Sequence, residues 1–429
     1  MQASKTSLPL YTCFYMPLKP RTIAFNPLNF PIYVMAKPIG ALCNMDCSYC
    51  YYLEKSNLYH GSSPKMGDDI LERYVAEYIE CQPGGDVFFT WHGGETLLRG
   101  IDFFRKAMKY QQRYARGKRI ANSIQTNGLL LNEEWCRFFK ENEFLVGISL
   151  DGPEHIHDRY RLDRSGRGTF SRVMKGVEML QRFDVDFNTL SVISDYGAKF
   201  PLETYRFFKD IGSHYMQFSP IVERWGDRPD GLELLPPGDR QSDAEMPPWC
   251  VDPTDYGRFY CEIFDEWVRN DVAEFYVQMF DSALACYVGQ APGVCIYAES
   301  CGHASVMEHN GDVYCCDHFV FPEFKLGNIR NKTFVEMMLS DKQMKFGADK
   351  RNKLPGQCRE CRFLKLCNGE CPKNRIAVTA DGEPGLNYLC SGLRMFYEHV
   401  EPYLEFMAGE LANGRPPANV MEFARNLKR

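Results

Sequence analysis

The sequence has no excess of positive charge and no long apolar run, and each absence excludes a class of function. Lys and Arg total 50 against 56 Asp and Glu, which gives a formal net charge of −6. Such a chain lacks the basic surface that neutralises a phosphate backbone, so we expect no nucleic-acid partner. No apolar stretch reaches the roughly 18 residues that a membrane-spanning helix needs, so we expect no membrane partner either.

Cysteine, by contrast, is abundant, with 18 residues in a chain of 429. Dense disulfides are typical of small secreted domains, and this chain is long. The apolar stretch at 8–18 contains Pro9 and Pro17, and no small-residue cleavage site follows it, which argues against a signal peptide. Three cysteines fall between 43 and 50 and nine between 295 and 390, and such clustering favours metal ligands. Reduced thiols in this number predict a cytoplasmic protein.

Apolar strand-like runs alternate with helical runs over the first two thirds of the chain. The predicted strands are 32–36, 87–91, 120–125, 146–150, 187–193 and 215–220, and the predicted helices are 68–81, 103–114, 133–141, 170–183 and 202–209. This alternation predicts an α/β fold built from βαβ units with right-handed crossovers. Six strands are too few for a complete eight-stranded barrel, so they fit either an open doubly wound sheet or a partial barrel. In either fold, ligands bind at the carboxyl ends of the strands.

Four consecutive predicted strands end in polar or glycine-bearing loops. They are followed in turn by a cysteine triad, by Gly93-Gly94-Glu95, by the run 125–128 and by the run 149–153. An ordinary turn explains any one of these loops. Because parallel strands end at one edge of their sheet, the set of four predicts a functional site there.

Composition divides the chain into five segments. Residues 223–253 hold many Pro, Gly and Asp residues, a helical run follows at 256–268, and the cysteine-rich region begins at Cys295. We therefore expect a domain boundary between about 225 and 294. The expected segments are a leader without a recognisable pattern at 1–30, an α/β domain at 31–225, a linker or insertion with helices at 226–294, a cysteine-rich domain at 295–395 and a helical tail at 396–429.

The first cysteine cluster has the spacing Cys43-x3-Cys47-x2-Cys50. A closed structural zinc or iron–sulfur site needs four ligands, and the nearest other candidate, His60, lies ten residues beyond Cys50. A [4Fe–4S] cluster held by three thiolates leaves one iron open to a cofactor or substrate. The alternatives are a zinc site completed from elsewhere in the chain and three buried thiols.

This triad, with Tyr49 before its last cysteine and a Gly-Gly-Glu turn after the second strand, resembles the radical SAM superfamily. The resemblance implies that S-adenosylmethionine (SAM) binds the open iron and is cleaved to methionine and a 5′-deoxyadenosyl radical. It implies SAM contacts at five positions: Tyr49, Gly94, Ser149, Arg161 and Val222. Arg161 would suit the SAM carboxylate, and Ser149 the polar edge of the cofactor. Without the resemblance, Ser149 reads as a turn residue and Arg161 as a solvated charge.

The second cysteine field supplies eight spaced cysteines, which suffice for two fully ligated [4Fe–4S] clusters or for two zinc sites. Its Gly-x4-Cys and C-x2-C-x5-C-x3-C elements resemble the SPASM extension of radical SAM enzymes. The resemblance implies a partial (β/α)6 barrel followed by a SPASM domain with two auxiliary clusters. One cluster would be held by Cys295, Cys301, Cys316 and Cys371, and the other by Cys358, Cys361, Cys367 and Cys390.

Seven cysteines remain outside the implied ligand sets. We expect them to be ordinary buried or free thiols: Cys13, Cys81, Cys136, Cys250, Cys261, Cys286 and Cys315. Cys315 adjoins a ligand, and the register counted from Gly311 selects Cys316 instead.

Further runs resemble the anaerobic sulfatase-maturating enzymes, in particular Bacteroides-type members. They are 91–96, 125–128, 311–314, 316–320, 326–329 and 385–388. The resemblance implies oxidation of one Cys or Ser in an unfolded sulfatase, within a C/S-x-P-x-R motif, to Cα-formylglycine. It implies three [4Fe–4S] clusters, SAM, and an electron donor such as ferredoxin or flavodoxin. Asp317 would be the base that takes the substrate proton, and Tyr52 would line the substrate pocket.

Two other functions compete with this interpretation. A SPASM enzyme that forms thioether or carbon–carbon crosslinks in a ribosomal peptide would carry a leader-binding domain, and residues 1–30 are too short and too rich in proline for one. A non-enzymatic zinc or electron-transfer protein would not need the open triad or the Gly-Gly-Glu turn.

Overall fold

The computed structural model of the protein describes residues 31–59, 63–228, 231–239 and 244–427. The expected leader at 1–30, Cys13 and His60 lie outside these residues.

Six parallel strands form the centre of the molecule. They are β1 (Tyr33–Ala36), β2 (Asp86–Trp91), β3 (Arg119–Thr126), β4 (Phe144–Ser149), β5 (Phe187–Ile193) and β6 (Tyr215–Pro220). Each strand pairs with the next one along the chain, so their order in the sheet is the order in the sequence. A doubly wound sheet would reverse its order at a switch point. The uninterrupted order therefore confirms the partial barrel.

Helices connect these strands and cover one face of the sheet. They are α1 (Asp68–Glu80), α2 (Ile101–Tyr114), α3 (Glu133–Glu141), α4 (Glu154–Tyr160), α5 (Phe170–Arg182) and α6 (Pro201–Asp210). Alternation along β2 shows which face they cover, because Phe89 and Trp91 are buried while Phe88 is exposed. All five helices expected from the sequence are present. The short α4 was not predicted, since seven residues hold too few periodic positions to stand out.

The described part of the later segments contains eight further strands, four of which extend this sheet at its two edges. The eight strands are β7 (Trp225–Arg228), β8 (Gly231–Leu234), β9 (Tyr276–Val277), β10 (Ala304–Met307), β11 (Asp312–Tyr314), β12 (Lys325–Asn328), β13 (Ala377–Val378) and β14 (Pro384–Leu386). Strand β9 pairs with β6, and β10 runs parallel to β1 with Met307 opposite Ala36. Strands β11 and β12 follow antiparallel, while β7–β8 and β13–β14 are separate hairpins. The cysteine-rich region therefore joins the barrel through β1.

The remaining helices surround this cysteine-rich region. They are α7 (Pro253–Asn270), α8 (Gln278–Tyr287), α9 (Phe334–Met338), α10 (Asp341–Asn352), α11 (Gly356–Arg359), α12 (Leu364–Cys367), α13 (Cys390–Ala412) and α14 (Val420–Asn426). Helices α7 and α13 touch through their backbones, because a Cβ on Gly257 would lie 2.7 Å from the Cα of Gly392. This contact fixes the start of α13, where Cys390 stands. Among the described residues, no helix combines the length and apolar character needed to cross a membrane.

Candidate active site

The loop that carries the cysteine triad follows β1 and is held in place by the Gly-Gly-Glu turn after β2. Gly94 N–H donates to the carbonyl of Gly40 (2.8 Å), and Glu95 N–H donates to that of Leu42 (2.8 Å). A Cβ on Gly94 would lie 2.2 Å from the Leu42 carbonyl oxygen, far inside van der Waals contact. The glycine is thus required by the packing of two loops, in addition to any contact with SAM.

Glu95 ties the second and third rim loops together. Its buried carboxylate accepts hydrogen bonds from Thr126 Oγ1 (2.7 Å) and from the N–H of Asn127 (2.7 Å). Asn127 in turn donates through Nδ2 to Asn44 Oδ1 (2.7 Å), inside the cysteine loop. The three loops that the sequence analysis singled out separately therefore form one hydrogen-bonded rim.

Tyr49 and Arg161, two of the five residues expected to contact SAM, are hydrogen-bonded to each other at this rim. Arg161 Nη1 donates to the hydroxyl oxygen of Tyr49 (2.8 Å), and that hydroxyl donates to Asp151 Oδ2 (2.5 Å). Arg161 is 7% exposed, and within the described chain its Nε has no hydrogen-bond partner. A buried guanidinium N–H without a partner fits a carboxylate of a bound molecule. The residues present therefore fit the carboxylate end of SAM.

The other expected contacts lie on neighbouring elements. Ser149 ends β4, and its Oγ accepts a hydrogen bond from Gln125 Nε2 (2.7 Å) at the end of β3. Val222 is buried two residues beyond β6 and lines a cavity together with Tyr51 and His318. The five positions are thus spread over the loops at the carboxyl ends of the strands, apart from Arg161 at the end of α4.

The chemistry of the triad fits an iron–sulfur cluster better than a single metal ion. Burial raises the pKa of Cys43 to about 11 and that of Cys47 to about 12, so each thiolate needs a nearby cation to form at neutral pH. In the described ranges no three His, Cys, Asp or Glu side chains converge on one ion position. A cubane satisfies separated thiolates, because each one bonds to a different iron.

The cysteine-rich region brings eight thiols together as two sets of four. Burial raises the pKa of Cys316, and the neighbouring thiols of Cys295, Cys371 and Cys301 raise it further. Burial likewise raises the pKa of Cys358 to about 11, with further increases from Cys390 and Cys361. Cys367 interacts with Cys358 and Cys390. These are the two groups that the SPASM resemblance implies, and every cysteine in the described ranges is a free thiol.

A left-handed turn explains why Cys367 and Cys371 belong to different sets. In a right-handed helix, residues four apart lie on the same face. Here the three residues between them have positive φ: 48° at Asn368, 70° at Gly369 and 50° at Glu370. The backbone therefore leaves the right-handed helical path immediately after α12, so Cys367 and Cys371 do not share one helix face. The cysteine spacing does not indicate this turn. The residue types do not indicate it either, since two of the three residues are not glycine.

Asp317, the expected base, lies beside the first set and pairs with a lysine from the barrel. The ammonium of Lys37, a fully buried residue directly after β1, forms an ion pair with Asp317 Oδ1. Tyr51 donates its hydroxyl to Asp317 Oδ2 (2.7 Å). Burial alone would raise the pKa of Asp317, but the Lys37 ammonium holds it well below its usual range. Asp317 is therefore a carboxylate at neutral pH.

Three neighbours of Asp317 were missed or misplaced by sequence reasoning. Lys37 and His92 were not singled out individually, and Tyr52, which was expected to line the substrate pocket, does not line the cavity that Tyr51 lines. Tyr52 is buried, with its hydroxyl on Glu308 and its ring 3.4 Å from the Lys37 ammonium. Burial and the Lys37 charge lower the pKa of His92 to about 4, so this imidazole is neutral. Their positions in the sequence could have indicated Lys37 and His92, because each directly follows a strand, at the edge of the sheet where the site was expected.

Replacing Lys37 should move the pH dependence of the reaction. Lys37→Met keeps the length of the side chain and removes the charge that holds the pKa of Asp317 down. In its expected role as the base, Asp317 must be deprotonated, so the acidic limb of the activity profile should shift to higher pH. We expect activity lost at neutral pH to return in part under alkaline conditions, in a pH–rate profile measured on fully loaded enzyme.

Lys118→Met is the matched control for this variant. Lys118 is a half-buried lysine at the opposite end of the barrel, where its ammonium donates to the carbonyls of Ile79 and Gln82 (both 2.7 Å). Its replacement should leave the acidic limb unmoved. An unchanged profile in Lys37→Met would show that Lys37 does not control the protonation of Asp317.

Two known family models match separate parts of the chain. The profile of the radical SAM superfamily matches residues 38–198, and that of the SPASM iron-sulfur cluster-binding domain matches residues 300–362. The first match contains the cysteine triad, and the second contains Cys316, Asp317 and part of each thiol set.

Individual relatives match over nearly the full chain. The chain is 53% identical over 404 residues to a serine-type anaerobic sulfatase-maturating enzyme of Bacteroides thetaiotaomicron, covering 94% of this chain and 97% of the relative. It is 32% identical to a cysteine-type enzyme of the same kind from Clostridium novyi, over 88% and 98%. The solved structure of native anSMEcpe with bound AdoMet superposes with a TM-score of 0.78 at 30% identity, covering 88% of this chain and all of that one.

Proposed function

Because the chain belongs to the anaerobic sulfatase-maturating enzymes, within the radical SAM superfamily, we propose that it oxidises one Ser or Cys of a sulfatase polypeptide to Cα-formylglycine. The observation that carries this proposal is Asp317, a carboxylate held ionised by Lys37 and adjacent in sequence to the thiol of Cys316. A radical reaction that ends in an aldehyde must remove a proton and an electron from nearly the same place. A base beside a cluster ligand meets both needs.

The chain's own residues would hold four cofactors. Cys43, Cys47 and Cys50 would hold the [4Fe–4S] cluster that binds SAM, with Tyr49, Gly94, Ser149, Arg161 and Val222 around the SAM molecule. Two auxiliary [4Fe–4S] clusters would occupy the two sets of four thiols in the 295–395 domain. We place the barrel domain at 31–225 and the connecting segment at 226–294, with the helical tail from 396. In support, the chain superposes on an AdoMet-bound structure over 88% of its length.

When bound, the clusters and SAM would supply the radical chemistry, namely a deoxyadenosyl radical to abstract a hydrogen atom from the substrate Cβ and an acceptor for the one electron that remains. Asp317 removes the hydroxyl or thiol proton, so that a carbon–oxygen or carbon–sulfur double bond forms. Serine then gives the aldehyde directly, and cysteine gives a thioaldehyde that water converts to the aldehyde and hydrogen sulfide. One electron would be consumed in the cleavage of SAM and one would be released by the substrate, so the reaction is balanced. The electron that starts it would come from a carrier such as ferredoxin or flavodoxin.

The substrate would be an extended, unfolded segment carrying the C/S-x-P-x-R motif. A cavity near Asp317 marks the side from which the segment would approach, since it is lined by Tyr51, which binds Asp317, and by His318, Glu223 and Lys373. Related anSMEcpe has been solved with AdoMet and a Kp18Cys peptide, and this chain superposes on that complex with a TM-score of 0.77. The 53% identity to a serine-type enzyme, against 32% to a cysteine-type one, favours serine as the target.

A paired peptide assay tests the proposal. Reduced, anaerobically reconstituted protein is incubated with SAM and two peptides that differ only in Ser or Cys at the motif position. We expect mass spectrometry to show formylglycine and 5′-deoxyadenosine, with the faster reaction on the Ser peptide. Deoxyadenosine without peptide oxidation would remove the sulfatase assignment, and an internal crosslink in the peptide would favour the competing class of SPASM enzymes.

Metal analysis tests the cofactor assignment independently of substrate. Three cubane clusters require about twelve iron and about twelve sulfide per chain. We expect this content in the reconstituted protein. Zinc in place of iron, or iron near four per chain, would contradict the assignment of the second cysteine field.

A further inference from the structure

Arg375 is bound to the turn that separates the two auxiliary thiol sets. Its Nε donates to the carbonyl of Gly369 (3.0 Å), and its Nη2 donates to that of Asn368 (3.0 Å). A third bond runs from Nη1 to the carbonyl of Lys350 (2.6 Å). The turn joins Cys367 of one set directly to Cys371 of the other. The guanidinium is therefore placed at the junction of the two sets.

The charge of Arg375 acts on thiols of both sets. Burial lowers the pKa of Arg375, and Cys301, Cys358, Cys371 and Cys367 oppose this change. Two of these thiols belong to each set. Within the described residues, no carboxylate lies within ion-pair distance of the guanidinium. All three of its hydrogen bonds go to neutral carbonyls, so its positive charge is not cancelled by a direct partner.

Glu370 brings a charge of the opposite sign to the same turn. Its buried carboxylate accepts hydrogen bonds from Asn387 Nδ2 (2.6 Å) and Asn374 Nδ2 (3.0 Å), both neutral donors. It interacts with Cys371, Cys295 and Cys301 of one set and with Cys367 of the other. The junction thus holds a cation and an anion, each fixed by its own hydrogen bonds.

Fixed charges at such a position bear directly on electron uptake. Reducing a [4Fe–4S] cluster adds one negative charge to a group that four thiolates already make anionic. In a buried, weakly screened region, a nearby cation stabilises the reduced form and an anion destabilises it. Reduction potentials of such clusters depend on local charge and hydrogen bonding.

We propose that Arg375 is a shared electrostatic positioning residue, whose buried charge raises the reduction potential of both auxiliary clusters and so favours their uptake of the substrate electron. Glu370 acts on both in the opposite direction. The proposal rests on the two auxiliary clusters of the proposed function. It assigns no proton transfer to either residue, and the electron comes from the substrate in the step already balanced above.

Potentiometric titration of the full-length, reconstituted protein tests the proposal, with the two auxiliary clusters followed by electron paramagnetic resonance. Arg375→Gln should move both potentials to more negative values, and Glu370→Gln should move both to more positive values. Arg375→Lys keeps the charge and should stay closer to wild type than Arg375→Gln. A purely structural role predicts similar shifts in both variants, because glutamine and lysine both lose the fork that binds three carbonyls.

Arg394→Gln is the matched control. Arg394 also lies near Cys361 and Cys390, but its side chain is 68% exposed and pairs with Glu398, so water screens its charge. Its removal should shift neither potential. Unshifted potentials in an Arg375→Gln variant with full iron content, or a shift in one cluster alone, would overturn the shared role. A wild type without auxiliary clusters would overturn the cluster assignment as well, which iron analysis reveals before any titration.

Discussion

Asp317→Asn should abolish formylglycine formation while leaving all the iron in place. The amide has nearly the same shape as the carboxylate and can still accept the hydrogen bond from Tyr51, but it cannot take a proton. General-base catalysis typically contributes a factor of about 10²–10⁴, so we expect a loss of that order in the rate of peptide oxidation. The measurement is product formation by mass spectrometry, with iron and sulfide analysis of the same preparation.

Asp312→Asn provides the comparison for this variant. Asp312 lies five residues upstream in β11, where it forms an ion pair with Lys325 (2.7 Å) and receives a hydrogen bond from Asn328 (2.8 Å). It contacts none of the groups around Asp317 described above, so its replacement should lower stability without removing product. Full activity in Asp317→Asn would refute the role of Asp317 as the base.

Gly94→Ala should remove the first cluster and, with it, all cleavage of SAM. The added Cβ would lie 2.2 Å from the Leu42 carbonyl oxygen and 2.6 Å from its carbon, and both atoms belong to backbone that cannot move aside like a side chain. The cysteine loop would have to shift, breaking the bonds from Gly94 and Glu95 that hold it. We expect the iron content to fall by about four per chain, with no deoxyadenosine formed.

Gly84→Ala is the control for a glycine that packing does not require. Gly84 is exposed just before β2, and a Cβ there would meet no atom within 4 Å. Its replacement should leave iron content and activity unchanged and alter stability by about 1 kcal/mol at most. A Gly94→Ala protein with full iron content and normal SAM cleavage would contradict the loop packing described here.

The barrel could be predicted because its signals are local. Its six strands are apolar runs or alternate apolar with polar residues, and each of five helices is long enough to show a periodic apolar face. Strands β9–β12 could not be predicted, since two to four residues carry no periodicity and their pairing depends on β1 and β6. The choice between a partial barrel and a doubly wound sheet likewise depended on strand order, which composition does not reveal.

The candidate site shows the same contrast between local patterns, which the sequence reveals, and long-range contacts, which it does not. The cysteine spacings and the Gly-Gly-Glu turn are local patterns that indicated the ligand candidates, and the family resemblance added Asp317 as the expected base. The ion pair between Lys37 and Asp317 joins residues from two segments that lie far apart in the sequence, so no spacing could indicate it. The separation of Cys367 from Cys371 depends on a left-handed Glu370, a backbone state that the residue type does not favour.

The central claim is that a radical takes its hydrogen from the Cβ of one residue of a sulfatase motif. A peptide carrying deuterium at the Cβ of its target Ser tests this claim most directly, with the product deoxyadenosine analysed by mass spectrometry. We predict that deoxyadenosine gains one deuterium while the peptide gains the aldehyde. Deoxyadenosine without deuterium, formed alongside an oxidised peptide, would contradict the account.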